Sequence, residues 1–274
     1  MSTHFGNAPA DTSTAPTHAT NAPAAKDSEQ PAIQIQNLSY AYANRQVLNN
    51  ITTEFNFGAV TGVFGENGAG KTTLLKILAG ILPFQHNSPQ RENKRTATNS
   101  AGENEATLSF GALTRADIGY LGQQVQPAWA LKVRSLVELG TLSRPAWGPA
   151  EKREAIESAM QQTDCAHLAE RKVSEISTGE LQRALLARVL AGKPNVILAD
   201  EPTAGLDPRH QRAVMQLLQA HARAGGMVIV VMHDLRAGQE YCDNALLLAD
   251  NKVYAQGASA NVLTTDNIFE VFGV

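Results

Sequence analysis

The chain has 274 residues, of which 43% are hydrophobic and 18% charged, with a formal net charge of −3. These proportions fit one large globular domain or two small ones. The net charge of −3 does not suggest the basic footprint of a nucleic-acid binder. No apolar run approaches the roughly 18 residues a membrane-spanning helix needs, so a membrane role would require another chain to do the spanning. Cys165 and Cys242 form no motif and read as reduced intracellular thiols.

From Met1 to about Gln30 the residues are Ala, Thr, Pro, Asn and Ser, with almost no large apolar side chains. Such a segment cannot bury enough surface to offset the entropy of ordering, and it is expected to be a disordered tail. The folded domain is expected over 31–274. Ile33, Ile35 and Leu38 predict a strand with alternating burial, followed by Tyr40 and Tyr42 and a second strand through Ile51 and Phe55. An exposed aromatic ahead of a phosphate site could stack on a nucleotide base. An ordinary strand tyrosine fits the spacing at least as well.

Val60–Phe64 predicts a short buried strand, and Thr72–Ala79 a helix carrying Leu74, Leu75, Ile77 and Leu78, with Gly80 as its C-cap. Between them runs Gly65-Glu66-Asn67-Gly68-Ala69-Gly70-Lys71-Thr72-Thr73, the pattern G-x-x-x-x-G-K-[ST]. Its glycines let backbone amides wrap closely around phosphate oxygens, at the N-terminus of the following helix. Lys71 is placed to reach the β and γ phosphates, and the Thr72 hydroxyl to ligate Mg²⁺.

Phe84–Ala106 is polar and irregular and is expected to be a surface insertion. Ile118–Leu121 predicts a strand ending at Gln123-Gln124. A glutamine there can reach a metal-bound water, a weak signal taken alone. From about 124 to 190 the pattern predicts an inserted helical subdomain. Val133, Leu136, Val137 and Leu139 have helical spacing, and a second helix starts near Pro149. Ser177-Thr178-Gly179-Glu180 is a capping box opening a further helix, and its N-terminal amides also form an anion site.

Val196–Leu198 predicts a buried parallel strand ending in Asp200-Glu201, where ligands bind in open α/β sheets. Asp200 fits Mg²⁺ coordination through water, and Glu201 fits the general base for an attacking water. Gly205-Leu206-Asp207 precedes another helix. Met227–Met232 predicts a strand ending at His233, which is placed for catalysis beside the phosphate and Mg²⁺ groups. Ala245–Leu248 and Lys252–Tyr254 predict a hairpin turning at Asp250-Asn251.

In this order the motifs resemble the ATP-binding subunit of ABC transporters, over about Ile33 to Val274. The resemblance implies a RecA-like P-loop NTPase core of α/β class, an N-terminal antiparallel β-subdomain and an inserted helical subdomain. It identifies Gln123 with the Q-loop, Ile176–Arg183 with the family signature, Gly205–Asp207 with the D-loop and His233 with the switch histidine. It makes Tyr42 the adenine-stacking aromatic, with Tyr40 second. It implies ATP and Mg²⁺ as cofactors, with Gly65 to Thr73 holding the nucleotide and Thr72, Gln123 and Asp200 the metal. Two cassettes would face head to tail, so that the amides at Ser177 and Gly179 cap the γ-phosphate of nucleotide held by the other copy, with Asp207 of the D-loop also among the nucleotide-binding residues. Partners would be membrane permease subunits and, indirectly, a substrate-binding protein, at the cytoplasmic face of the membrane. Thr178 departs from the glycine usual in the signature. The ending Val262-Leu263-Thr264 and Ile268–Val274 is similar to the iron-chelate, heme and vitamin B12 importer ATPases. Zinc or manganese import, export, or a soluble ABC ATPase such as one of iron–sulfur assembly are the alternatives.

Overall fold

The computed structural model describes Met1 and residues 32–43, 45–84, 106–123 and 131–273. The expectations for the N-terminal tail, for most of the 84–106 insertion and for Gln124 fall outside these residues.

The domain opens with β1 (Ile33–Tyr42) and β2 (Arg45–Phe55), paired antiparallel. Ile33 and Ile35 are buried in strict alternation, but the next buried residue, Leu38, is three positions on. A register shift between Ile35 and Leu38 explains the gap, with Asn37 at φ 54° absorbing the extra residue as a β-bulge. After β3 (Val60–Gly65) and α1 (Lys71–Leu78), the short β4 (Thr107–Ser109) joins the other edge of β1. This makes a three-stranded sheet in the order β2-β1-β4. The C-cap of α1 is Ala79 rather than Gly80. Gly80 takes the next position, at φ 66°, where its freedom from a β-carbon lets the chain leave the helix.

The second sheet collects β5 (Ile118–Leu121), β6 (Val196–Asp200), β7 (Met227–Val231), β8 (Asn244–Ala249) and β9 (Lys252–Ala258) around β3. Its order is β5-β6-β7-β3-β8-β9, parallel throughout except for β9. β3, β6 and β7 are buried along their whole length, as continuous apolar runs in a parallel sheet require. β9 alternates between exposed and half-buried, as befits an edge. Asp250 and Asn251 turn the β8–β9 hairpin at φ 49° and 64°, the left-handed pair of a type I′ turn.

Alternate residues of the sheet feed two cores. Val228 and Val230 face one core with Leu181, Leu185 and Leu218. Met227, Ile229 and Val231 face the other with Leu74, Ile77 and the β1–β2 residues. The first core is closed by α2 (Val133–Glu138), α3 (Pro149–Gln162), α4 (Thr178–Ala191), α5 (Pro208–Arg223), α6 (Leu235–Tyr241) and α7 (Ser259–Val262), with α8 (Thr265–Phe272) last. Leu139 departs from its expected helical role. The chain tightens to 3₁₀ over Leu139–Ser143, which rotates Leu139 off the buried stripe and leaves it 41% exposed.

Arg144 ties this helical region to the sheet. It donates to the carbonyls of Gly192 and Lys193, both at 2.9 Å, and pairs with Asp117 at 3.5 Å. Trp147 lies under the cations of Arg144 and Lys193, so it packs on its own domain. Among the described residues no helix is long and apolar enough to cross a membrane.

Candidate active site

The C-terminal ends of β3, β6 and β7 lie side by side, so Gly65, Asp200 and the residues after Val231 emerge at one sheet edge. The loop Gly65–Thr73 leaves β3 there. Its tip, Glu66, Asn67 and Gly68, is exposed, while Ala69, Gly70, Lys71 and Thr73 are buried and Thr72 is half-buried. Gly70 sits at φ 97°, and a β-carbon on it would come within 2.5 Å of the Leu48 side chain and 2.6 Å of the Val47 carbonyl. Only glycine lets the loop close against β2. Gly70 also N-caps α1 without a side-chain cap, and no acidic residue occupies the first turn. The orphan amides of that turn are therefore left for an anion.

The Lys71 ammonium donates to the carbonyls of Gly65 at 2.7 Å and Glu66 at 2.9 Å, closing the loop into a ring. Burial lowers its pKa, against the pull of the Glu201 and Asp200 carboxylates. Asp200 is fully buried, and neither carboxylate oxygen has a hydrogen-bond partner among the described residues. Desolvation raises its pKa. The nearby Thr72 hydroxyl opposes that shift without reaching ordinary hydrogen-bond geometry, and Glu201 adds to it. A buried carboxylate with two unused oxygens beside a threonine hydroxyl fits a Mg²⁺ site. No group of three or more His, Cys, Asp or Glu among the described residues could hold a metal alone. That fits an ion taking most of its ligands from water and nucleotide phosphates.

Glu201 follows β6 at φ 53°, a left-handed conformation uncommon for a glutamate. Its amide donates to the Val231 carbonyl at 3.2 Å. One carboxylate oxygen, Oε1, accepts from His233 Nε2 at 2.7 Å and from Gln123 Nε2 at 3.2 Å. Among the described residues Oε2 accepts nothing. The groups expected from three separate strands thus meet on one carboxylate.

Of the two tyrosines, Tyr40 is buried and Tyr42 is 45% exposed, their rings edge to face at 5.2 Å. Tyr40 is a pedestal, and Tyr42 has a face to offer. Tyr42 pairs with Arg45, whose guanidinium reaches over Gly68.

Ser177, Gly179 and Asp207 form a second group. Among the described residues no hydrogen bond joins them to Gly65–Thr73. A β-carbon on Gly179 would lie 3.3 Å from Leu206 and 3.4 Å from the Gly205 carbonyl, so the start of α4 packs on the loop that carries Asp207. The expectation of freely exposed amides at this helix start needs correcting at one position. The Ser177 amide donates to Glu180 Oε2 at 2.7 Å, completing the capping box. These bonds from the Ser177 amide and hydroxyl hold the Glu180 carboxyl below its ordinary range. Asp207 caps α5, and both its oxygens are engaged by His210, through the backbone amide at 3.0 Å and ring Nδ1 at 2.6 Å. Sequence reasoning passed over His210. The spacing Asp-x-x-His at a helix start was its only signal.

A phosphate loop closed by its lysine, with an ion-ready aspartate and a bridged glutamate at the end of the neighbouring strand, defines a P-loop nucleoside triphosphatase. Residues 48–204 match the ABC transporter family. The hemin import ATP-binding protein HmuV of Bordetella pertussis is 35% identical over 252 residues, covering 88% of this chain and 92% of that one. A structure assigned to the metal-chelate type of ABC transporter, in an inward-facing conformation, superposes with TM-score 0.72 at 26% identity, covering 89% and 90% of the two chains. The cbiO1 protein of Clostridium perfringens, part of the ABC transporter complex cbiONQ, gives 0.69 at 25%, covering 88% and 94%. The chain belongs to the ABC transporter family as its ATP-binding subunit, an ATPase energising transport.

Proposed function

We propose that the chain energises import of heme or a related iron chelate or cobalamin, through separate permease subunits, as a head-to-tail dimer of cassettes at the cytoplasmic face of the membrane. The observation carrying the chemical part is the Glu201 carboxylate, whose Oε1 is held by His233 and Gln123 while Oε2 has no partner among the described residues.

In this reading Gly65 to Thr73 wrap the phosphates of ATP, Lys71 neutralises the β and γ groups, and Tyr42 stacks on adenine. Thr72, Asp200 and the Gln123 side-chain oxygen would hold Mg²⁺, while the Gln123 amide serves Glu201. When bound, that ion neutralises charge on the β and γ phosphate oxygens. Glu201 Oε2 accepts a proton from water as the water oxygen bonds to the γ-phosphorus. The bond from that phosphorus to the β–γ bridging oxygen breaks, leaving ADP and inorganic phosphate. His233 and Gln123 keep the glutamate from rotating away. Ser177, Gly179 and Asp207 complete the other copy's site, with Ser177 exchanging Glu180 for phosphate as it does so.

The cargo reading is supported by the hemin-import relative and the metal-chelate-type structure. Its test is growth of a strain lacking the chain. The expected result is loss of growth on heme, an iron chelate or cobalamin as nutrient source, with zinc and manganese uptake intact. Normal use of all three, with zinc or manganese uptake lost, would overturn the cargo and leave the ATPase standing.

A further inference from the structure

Arg183, on the second turn of α4, is 8% exposed. Its Nη1 donates to His210 Nε2 and lies 3.4 Å from Asp164 Oδ2. Arginine has no acceptor, so the contact requires a bare lone pair on His210 Nε2. The ring proton then sits on Nδ1, where it donates to Asp207 Oδ2 at 2.6 Å. Asp164, at the end of α3 with φ 52°, approaches Nε2 at 3.9 Å and balances the guanidinium charge.

We propose that His210 is a positioning residue of the ATP-hydrolysing machinery, a rigid link that locks the Asp207 loop to the signature helix α4. The helix cap does not need the imidazole, because the His210 amide alone satisfies Asp207 Oδ1 at 3.0 Å, and any residue supplies an amide. The ring does something further. It takes the second carboxylate oxygen and spends its opposite nitrogen on α4, a donor and an acceptor on two sides of one stiff plane. The two bonds to Asp207 hold its carboxyl below the ordinary range even though the side chain is 57% exposed. Two more contacts reinforce the link. Gln182 donates to the Pro202 carbonyl at 3.2 Å, next to Glu201, and Gly179 packs on Leu206. The start of α4 and the loop Pro202–Asp207 thus form one body. A displacement at Ser177 is carried to Asp207 and to the backbone beside Glu201. The inference rests on the proposed roles of Glu201, Ser177 and Asp207.

The test measures steady-state ATP turnover and melting temperature of the full chain for wild type, His210→Ala, His210→Asn and Glu201→Gln. His210→Ala is expected to lower kcat about tenfold with KM for ATP within about twofold, because the link matters in the closed, reacting arrangement rather than in holding nucleotide on Lys71. The melting temperature should fall by no more than a few degrees, since the cap amide remains and Asp164 still faces Arg183. His210→Asn, which keeps a donor toward Asp207, should recover part of the loss. An unchanged kcat for His210→Ala while Glu201→Gln is inactive would overturn the link alone. So would a loss in kcat that only follows a fallen melting temperature and is not recovered by His210→Asn. Retained turnover in Glu201→Gln would instead remove the base assignment on which the link rests.

Discussion

Asp200 carries a cost that the fold itself does not require. It is fully buried, and neither of its oxygens has a partner among the described residues. A buried polar group left this way costs about 1–3 kcal/mol, and more when charged. Asp200→Asn is therefore expected to stabilise the nucleotide-free chain, raising its melting temperature by several degrees at about 2–4 °C per kcal/mol. The same change should abolish Mg²⁺-dependent turnover and the extra thermal stability that ATP with Mg²⁺ confers. Calorimetry with and without nucleotide checks both halves. A lower melting temperature in the variant would show that the carboxylate is satisfied in the folded chain. The left-handed backbone at Glu201 belongs to the same pattern, a locally unfavourable choice kept at a site. Neither the orphaned oxygens nor this turn was legible in the sequence, where Asp200-Glu201 announced only two carboxylates after an apolar run.

At the scale of elements, the start of α4 is a complete helix cap that the proposed dimer would also use. As a cap it is complete, with Ser177 and Glu180 bonded in both directions. In the proposed dimer it would have to open to take the other copy's nucleotide, because Glu180 occupies the Ser177 amide. The Thr178 side chain is exposed at this start, where it would face whatever approaches from outside. Thr178→Gly is expected to raise ATP-driven dimerisation and, with it, turnover by at least about twofold. Equal rates for variant and wild type would show that the close approach tolerates the side chain. The capping box itself was plain in the sequence because it is a local pattern of four residues. The phosphate loop, β6, β7 and the β8–β9 turn were plain for the same reason. Leu139 was misplaced because a 3₁₀ turn shifts the helical period without changing residue type. The link through His210 was missed because it joins residues 27 positions apart, Arg183 and His210. Tyr42 was ranked ahead of Tyr40 by the resemblance, but which ring is buried was not legible, since a bulge and a strand end decide it.

At the scale of the molecule, Arg144 adds a polar tie between the helical region and the sheet beside their shared apolar core, and the pH dependence of that tie follows from Asp117. Burial would push the Asp117 pKa up, but hydrogen bonds from the Thr114 hydroxyl and amide, with the Arg144 cation, outweigh it and hold the carboxyl below its ordinary 3.8. The folded chain then binds fewer protons at this group than the unfolded chain. Its stabilising contribution is full above 3.8 and is lost as pH falls through the depressed folded value. The difference in stability between wild type and Asp117→Asn is expected to be largest near neutral pH and to shrink below 3.8. A difference independent of pH in chemical denaturation would contradict this. The central claim is that Glu201 activates water for attack on the γ-phosphate while Lys71 and its loop hold the nucleotide. The most direct measurement is phosphate release by Glu201→Gln alongside its affinity for ATP. The expected result is ATP binding within about twofold of wild type, an accumulated ATP-bound dimer, and phosphate release slowed by about 10²–10⁴-fold. Phosphate release at near wild-type rate in that variant would contradict the claim.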